Sequence, residues 1–208
     1  DVYKRQVTID AAKEMAFKGG SLTPDSDMIF GIGDLRTVVT TFAEYEQGKG
    51  YINLIAANGL LRQDIEEEME RLIEERMRPR LDFSSYKKEG YRIVQGEVDV
   101  DVHFNDEDII LKLTYPLTFE KKDEEKIEFL DFSSTVSLPF GRLYALAVDL
   151  TNDEIDDGQC IKEDYVIYTG GKVLIEKYRP YPDIFYRLEE FVPSINDVIV
   201  FRFGIKGK

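Results

Sequence analysis

Asp99, Asp101 and His103 stand two residues apart on a run whose alternate places are filled by Val98, Val100, Val102 and Phe104. Period-two alternation marks a half-buried strand, so the two carboxylates and the imidazole share one face at steps of roughly 6–7 Å. Such a set could hold a divalent cation or exchange a proton. A wetted outer sheet face explains the same residues, because side chains two apart on a flat strand converge poorly. His103 is the chain's one histidine, so Ser-His-Asp or Cys-His chemistry would have to pass through it.

Asp153, Glu154, Asp156, Asp157 and Gly158 belong to an acidic, loop-like stretch from Asp153 to Gln159. An EF-hand loop places oxygen ligands at its first, third and fifth positions, with glycine sixth. Setting Gly158 sixth puts Asp153 first but Ile155 third, so that pattern fails. Asp153 and Asp157 join Asp99, Asp101 and His103 as candidate metal ligands of another kind. Glu66, Glu67, Glu68 and Glu70 invite comparison with the carboxylate pair of glycoside hydrolysis, although a solvated helix face accounts for them. Gly31-Ile32-Gly33 lacks the third glycine and the preceding strand of a dinucleotide loop. Cys160 has no neighbouring base in sequence to activate it. Tyr178, Tyr181, Phe185 and Tyr186, interleaved with Pro180 and Pro182, are candidates for partner contact. An extended segment packing its rings on a sheet is the alternative. No residue is nominated as catalytic, and no cofactor is implied.

The elements that must position these groups are partly legible. Leu61, Ile65, Met69, Leu72, Ile73 and Met77 form one apolar stripe at helical spacing. Acids load the start of that helix and arginines its end, as the helix dipole favours. The alternating run 98–104 is followed by a polar turn at Asn105–Asp108, then by alternating Ile109, Leu111, Leu113 and Tyr115. A charged turn at Lys121–Glu125 precedes a third strand over 127–138, which Pro139 ends. Leu143, Leu146, Ala147 and Leu150 predict a second helix. The fold class expected is α+β: an antiparallel β-meander packed against an amphipathic helix (61–78) and a second helix (141–151), with additional C-terminal strands. A short helix is expected over 9–18, stopped by Gly19-Gly20. Low-regularity strands fall at 37–42 and 51–55. A hairpin of 165–168 and 173–178 turns about Gly170-Gly171, and a last strand spans 198–203. Residues 7–60 form an N-terminal helix and irregular segment, and 61–208 one α+β domain in which 158–208 completes the same sheet.

Composition narrows the function classes. The 208 residues hold 27 basic and 41 acidic side chains, a net charge of −14. That balance opposes binding to a phosphate backbone, so no nucleic-acid partner is expected. It opposes docking on an anionic lipid surface as well. One cysteine allows no intrachain disulfide and no cysteine-based zinc site. No apolar run approaches the ~20 residues of a membrane span. The opening Asp1-Val2-Tyr3-Lys4-Arg5-Gln6 resembles translated sequencing-adapter read-through at metagenome contig ends. Residues 1–6 are therefore expected to be a non-native leader on a gene truncated upstream.

Several segments carry a resemblance: Glu14-Met15-Ala16-Phe17-Lys18-Gly19-Gly20, residues 65–81, 91–100 and 109–119 with Tyr115-Pro116-Leu117-Thr118, and 132–144 with Pro139-Phe140-Gly141-Arg142-Leu143-Tyr144. Together they resemble an uncharacterised, membrane-anchored protein group of small-genome archaea of the nanoarchaeal kind. The resemblance implies a single membrane helix just upstream and an outward-facing ectodomain. Relatives place cysteines near positions like Asp10 and Arg80, and this chain has none there. The resemblance carries no activity and no site residues.

Three functions compete. The first is a non-enzymatic, membrane-tethered ectodomain with a structural or partner-binding role at the cell envelope, its partner a protein or envelope component. The second is a small-ligand or divalent-cation-binding module. The third is a carboxylate-dependent hydrolase. A chain with no upstream anchor would be cytoplasmic, and the oligomeric state is not encoded in any motif.

Overall fold

The computed structural model describes residues 2–24, 26–32, 35–80, 83–122, 125–158 and 162–208. In chain order the elements are α1 (Val2–Lys18), β1 (Ile29–Ile32), β2 (Leu35–Val38), β3 (Thr41–Glu46), β4 (Gly50–Asn53), α2 (Arg62–Met77) and α3 (Ser84–Lys88). There follow β5 (Arg92–Gln95), β6 (Asp99–Phe104), β7 (Asp108–Glu120), β8 (Ile127–Ser137), α4 (Phe140–Asp156), α5 (Lys162–Tyr168), β9 (Val173–Tyr178), β10 (Ile184–Val192) and β11 (Asp197–Lys206). The fold is α+β, as its patterning predicts.

The expected meander is the smaller sheet. β7 lies in its middle, because Ile109, Leu111, Leu113, Tyr115 and Leu117 keep one buried face through most of its length. β8 pairs along one edge of β7. The other edge is shared: β6 pairs with residues 109–114, and β5 with 117–120. Pro116 falls at the join, where Gly96 N–H donates to its carbonyl at 2.7 Å. β5 is a strand that alternation alone does not reveal, since its four residues are mostly exposed.

The larger sheet has the order β4-β3-β11-β10-β9, with β3 and β11 parallel and the other neighbours antiparallel. Residues 173–206 therefore do not complete the meander's sheet. They join residues 41–53 instead, and the expected boundary at residue 60 disappears. The reason lies in β11, whose run from Phe201 to Ile205 is buried on both faces. A strand of that kind belongs in the middle of a covered sheet. Its one face packs on the helices. Its other face meets a small second core of Met28, Phe30, Val39 and Phe185 under the β1–β2 hairpin. Val39 turns out of line to reach that core, which splits the strand expected over 37–42.

Helices fill the space between the sheets. α1 packs on β11, β8 and α2, and α4 packs on β3, β4, β10, β11 and β7. One continuous hydrophobic core joins them. α1 begins at Val2 rather than near Ile9: Tyr3 Oη donates to Arg76 O at 3.0 Å, and Val7, Thr8 and Ile9 are buried. It stops where expected, with Gly20 N–H closing onto Met15 O at 2.8 Å. Gly19 has φ +87°, and a Cβ there would lie 2.5 Å from Arg202 O, so helix end and sheet meet through a glycine. α4 continues to Asp156 because Leu150, Thr151 and Glu154 extend its buried face. Asp153–Asp156 is thus helix, not the loop expected there. Tyr165–Tyr168 also departs from expectation. It is the end of α5, and Gly170-Gly171 turn a helix, not a strand, into β9. Tyr165 and Thr169 face inward one helical turn apart, a period that β-prone residue types conceal.

No helix among the described residues is long and apolar enough to cross a membrane.

Candidate functional site

β6 presents Asp99, Asp101 and His103 on its exposed face, as alternation requires. His103 Nε2 lies 3.4 Å from Asp101 Oδ1, and its Nδ1 lies 3.4 Å from Glu66 Oε2 on α2. Among the described residues no close contact joins Asp99 to either. The helix acids do more than wet a surface. β6 has a strand on one side only, and α2 runs along its open edge. Glu66 Oε1 accepts the N–H of Phe104 at 3.0 Å, and Glu70 Oε1 accepts that of Val102 at 2.9 Å. Glu68 Oε1 accepts the N–H of Leu22 at 3.1 Å. The expectation of a solvated glutamate face is corrected for these three. Bound to separate amides, they hold the helix to strand and loop.

Asp153 lies on α4 and accepts the Tyr165 hydroxyl at 2.7 Å. Asp157 caps that helix, its N–H donating to Asp153 O at 3.0 Å. Both are far along the chain from Asp99, and the calcium-loop comparison fails on secondary structure as well as on Ile155. Among the described residues no group of three or more His, Cys, Asp or Glu side chains is placed to hold a metal ion. Cys160 and Gly33 lie outside the described residues.

The aromatic–proline stretch divides. Tyr186 is fully buried, stacked on Phe203 with ring centroids 5.0 Å apart, and its hydroxyl donates to Glu154 on α4. Phe185 belongs to the second core, and Tyr178 packs edge-on to Phe30 at 5.5 Å. Tyr186 and Phe185 follow the packing alternative, and Tyr178 is partly buried against the second core. Tyr181 alone is free, 93% exposed.

Two matched ion pairs lie beneath the larger sheet. Lys177 and the Tyr186 hydroxyl both donate to the buried Glu154 carboxylate. Arg142, at the start of α4, bridges Glu190 on β10 and Glu107 in the β6–β7 turn. The two carboxylates hold its guanidinium above the usual arginine value against the opposing effect of burial. Both sets fasten α4 to its neighbours.

The surface that sequence patterning did not single out is β8. Its first half runs past the helices. Ile127, Phe129 and Leu130 are 49%, 45% and 59% exposed on a strand that, among the described residues, pairs only with β7. Behind them Phe119, Phe129 and Phe132 form a ring ladder, with Phe119–Phe129 at 6.0 Å and Phe129–Phe132 at 6.1 Å. Tyr86, its ring centroid 5.6 Å from that of Phe119, adds exposed area beside it. The loss of strict alternation at Phe129-Leu130 is the one sequence signal of this edge.

Comparison with family models, with curated proteins and with solved structures found no match.

Proposed function

We propose that the chain is a non-enzymatic ectodomain, tethered to a membrane through an upstream helix, that binds a protein partner at the cell envelope. One observation carries the binding role: β8 offers an open strand edge flanked by exposed Ile127, Phe129 and Leu130. Soluble proteins ordinarily shield such an edge with charge, proline or a covering element, since it invites a further strand. Exposed apolar side chains beside such an edge mark it as a candidate interaction surface. The occupant that fits is an extended, β-prone apolar segment of a partner, held by main-chain bonds along β8 and by the aromatic ladder beside it. The tether and the outward orientation rest on the resemblance of residues 14–20, 65–81 and 132–144 to the archaeal group.

Two experiments test the two halves. Long-read sequencing across the region upstream of Val7 is expected to find an apolar span of ~20 residues flanked by Lys or Arg. An initiator Met close to Val7 without such a span would overturn the tether. Peptide-display selection on the wild type and on the Phe129→Lys, Leu130→Lys double variant tests the edge. Apolar, β-prone peptides should be enriched on the wild type alone. Equal enrichment on both proteins would remove β8 from consideration.

A further inference from the structure

Among the described residues three charged side chains are buried, and two of them are matched: Glu154 by Lys177, and Glu190 by Arg142. The third, Arg202 on β11, is only 8% exposed and has no counter-charge. Among the described residues no hydrogen bond or ion pair engages its side chain. Its guanidinium is held flat instead by aromatic rings. The central carbon lies 3.7 Å from the ring centroid of Phe17 on α1 and 4.8 Å from that of Phe30 on β1. Nε is enclosed with nothing to donate to, whereas neither Nη atom is sealed off in that way.

The neighbouring charges sharpen the mismatch. Arg187 stands directly opposite Arg202 in the β10–β11 register, so the nearest ionic group across the strands is another cation. The carboxylates that could serve, Glu176 and Glu189, are already bound by Arg187. Burial, then the Arg187 charge, press the Arg202 guanidinium below its ordinary value. A chain with 41 acidic and 27 basic residues thus leaves Arg202 unpaired. A guanidinium enclosed on its faces and open at its fork is disfavoured unless an acceptor completes it. It is also the geometry that takes an oxyanion in a bidentate grip.

We infer that Arg202, caged by Phe17 and Phe30, is the anchor of an oxyanion-binding site whose ligand carries a carboxylate or phosphate group. The rings fix the guanidinium plane, so little side-chain freedom is lost when the ligand's two oxygens meet the two Nη atoms. The site is on the outer face of the larger sheet, under the β1–β2 hairpin, and is independent of the β8 edge.

Calorimetric titration of the wild-type chain with inorganic phosphate, and separately with acetate, at constant ionic strength set by chloride, tests this. Saturable one-site binding is expected, weakened roughly tenfold or more in Arg202→Met and less in Arg202→Lys. Preference for phosphate over acetate identifies a phosphoryl ligand, and the reverse a carboxylate. Absence of binding by the wild type would overturn the site, as would equal binding by Arg202→Met. Should Arg202→Met fail to fold, the Arg202 Nε–H resonance of the wild type decides. A shift on titration supports the site, and a fixed resonance while other signals move overturns it.

Discussion

Glu70 on α2 accepts the N–H of Val102 on β6 at 2.9 Å, and Glu66, one turn earlier, accepts that of Phe104 at 3.0 Å. Four residues of helix rise ~6.0 Å and two of strand ~6.6 Å, so carboxylates at i and i+4 meet amides at j and j+2. A helix laid along a strand can therefore stand in for the missing strand, amide by amide.

Glu70→Ala should cost about 1–3 kcal/mol in urea denaturation, because it strands the Val102 amide, and should speed hydrogen exchange at Val102. Glu70→Gln keeps an acceptor and should cost less. Burial raises the Glu70 carboxyl, the Val102 bond lowers it, and Asp101 and Glu67 raise it again, leaving it above the usual 4.5. A carboxyl raised on folding contributes stability below its unfolded value that is lost as pH rises through the folded value. Wild type should thus lose that increment as pH climbs above 4.5, and Glu70→Gln should not.

Lys177→Met leaves Glu154 as a buried anion and should destabilise by about 3–5 kcal/mol. The double variant Lys177→Met, Glu154→Leu should recover much of that loss, since replacing both members of a buried pair by apolar groups is often close to neutral. A double-mutant cycle from chemical denaturation reads the coupling.

The Arg142 guanidinium holds the Glu107 carboxyl below its usual 4.5. A carboxyl lowered on folding contributes stability above its unfolded value and loses it as pH falls through the folded one. The melting temperature should therefore decline as pH drops below 4.5, and part of that decline should vanish in Glu107→Gln. Thermal melts across an acid series check it.

A Cβ on Gly141 would sit 2.3 Å from Asn105 O, at the contact between the first turn of α4 and the β6–β7 turn. That atom is backbone and cannot swing aside. Gly141→Ala should cost about 1–3 kcal/mol by denaturation, although alanine is the better helix former.

Much of the fold is legible in the chain because single-sided burial writes a period. The stripe Ile65, Met69, Leu72, Ile73, Met77 and the alternation of 98–115 place α2, β6 and the first half of β7. Where burial is two-sided or absent, the period fails. β11 is buried on both faces, so its central place and its pairing with residues 41–44 are invisible locally. β5 is exposed and leaves no pattern. Site chemistry was less legible still. Glu66 and Glu70 read as a wet face because amide acceptance depends on which edge the helix lies against. Tyr186 and Phe185 stayed open between partner contact and packing because a dense aromatic run looks the same on a surface as in a core. Arg202 carried no signal, since its isolation depends on Glu176 and Glu189 being bound elsewhere.

The parallel pairing of β11 with β3 joins residues 204–206 to residues 41–44. During synthesis the larger sheet therefore lacks its middle until residues 197–206 have been made, and β3 and β10 each wait with an unpaired inner edge. Such long-range closure makes folding slow and leaves the waiting strands open to wrong partners. The early meander and α2, whose contacts are nearer in sequence, can be complete by then and serve as the platform on which the late strand lands.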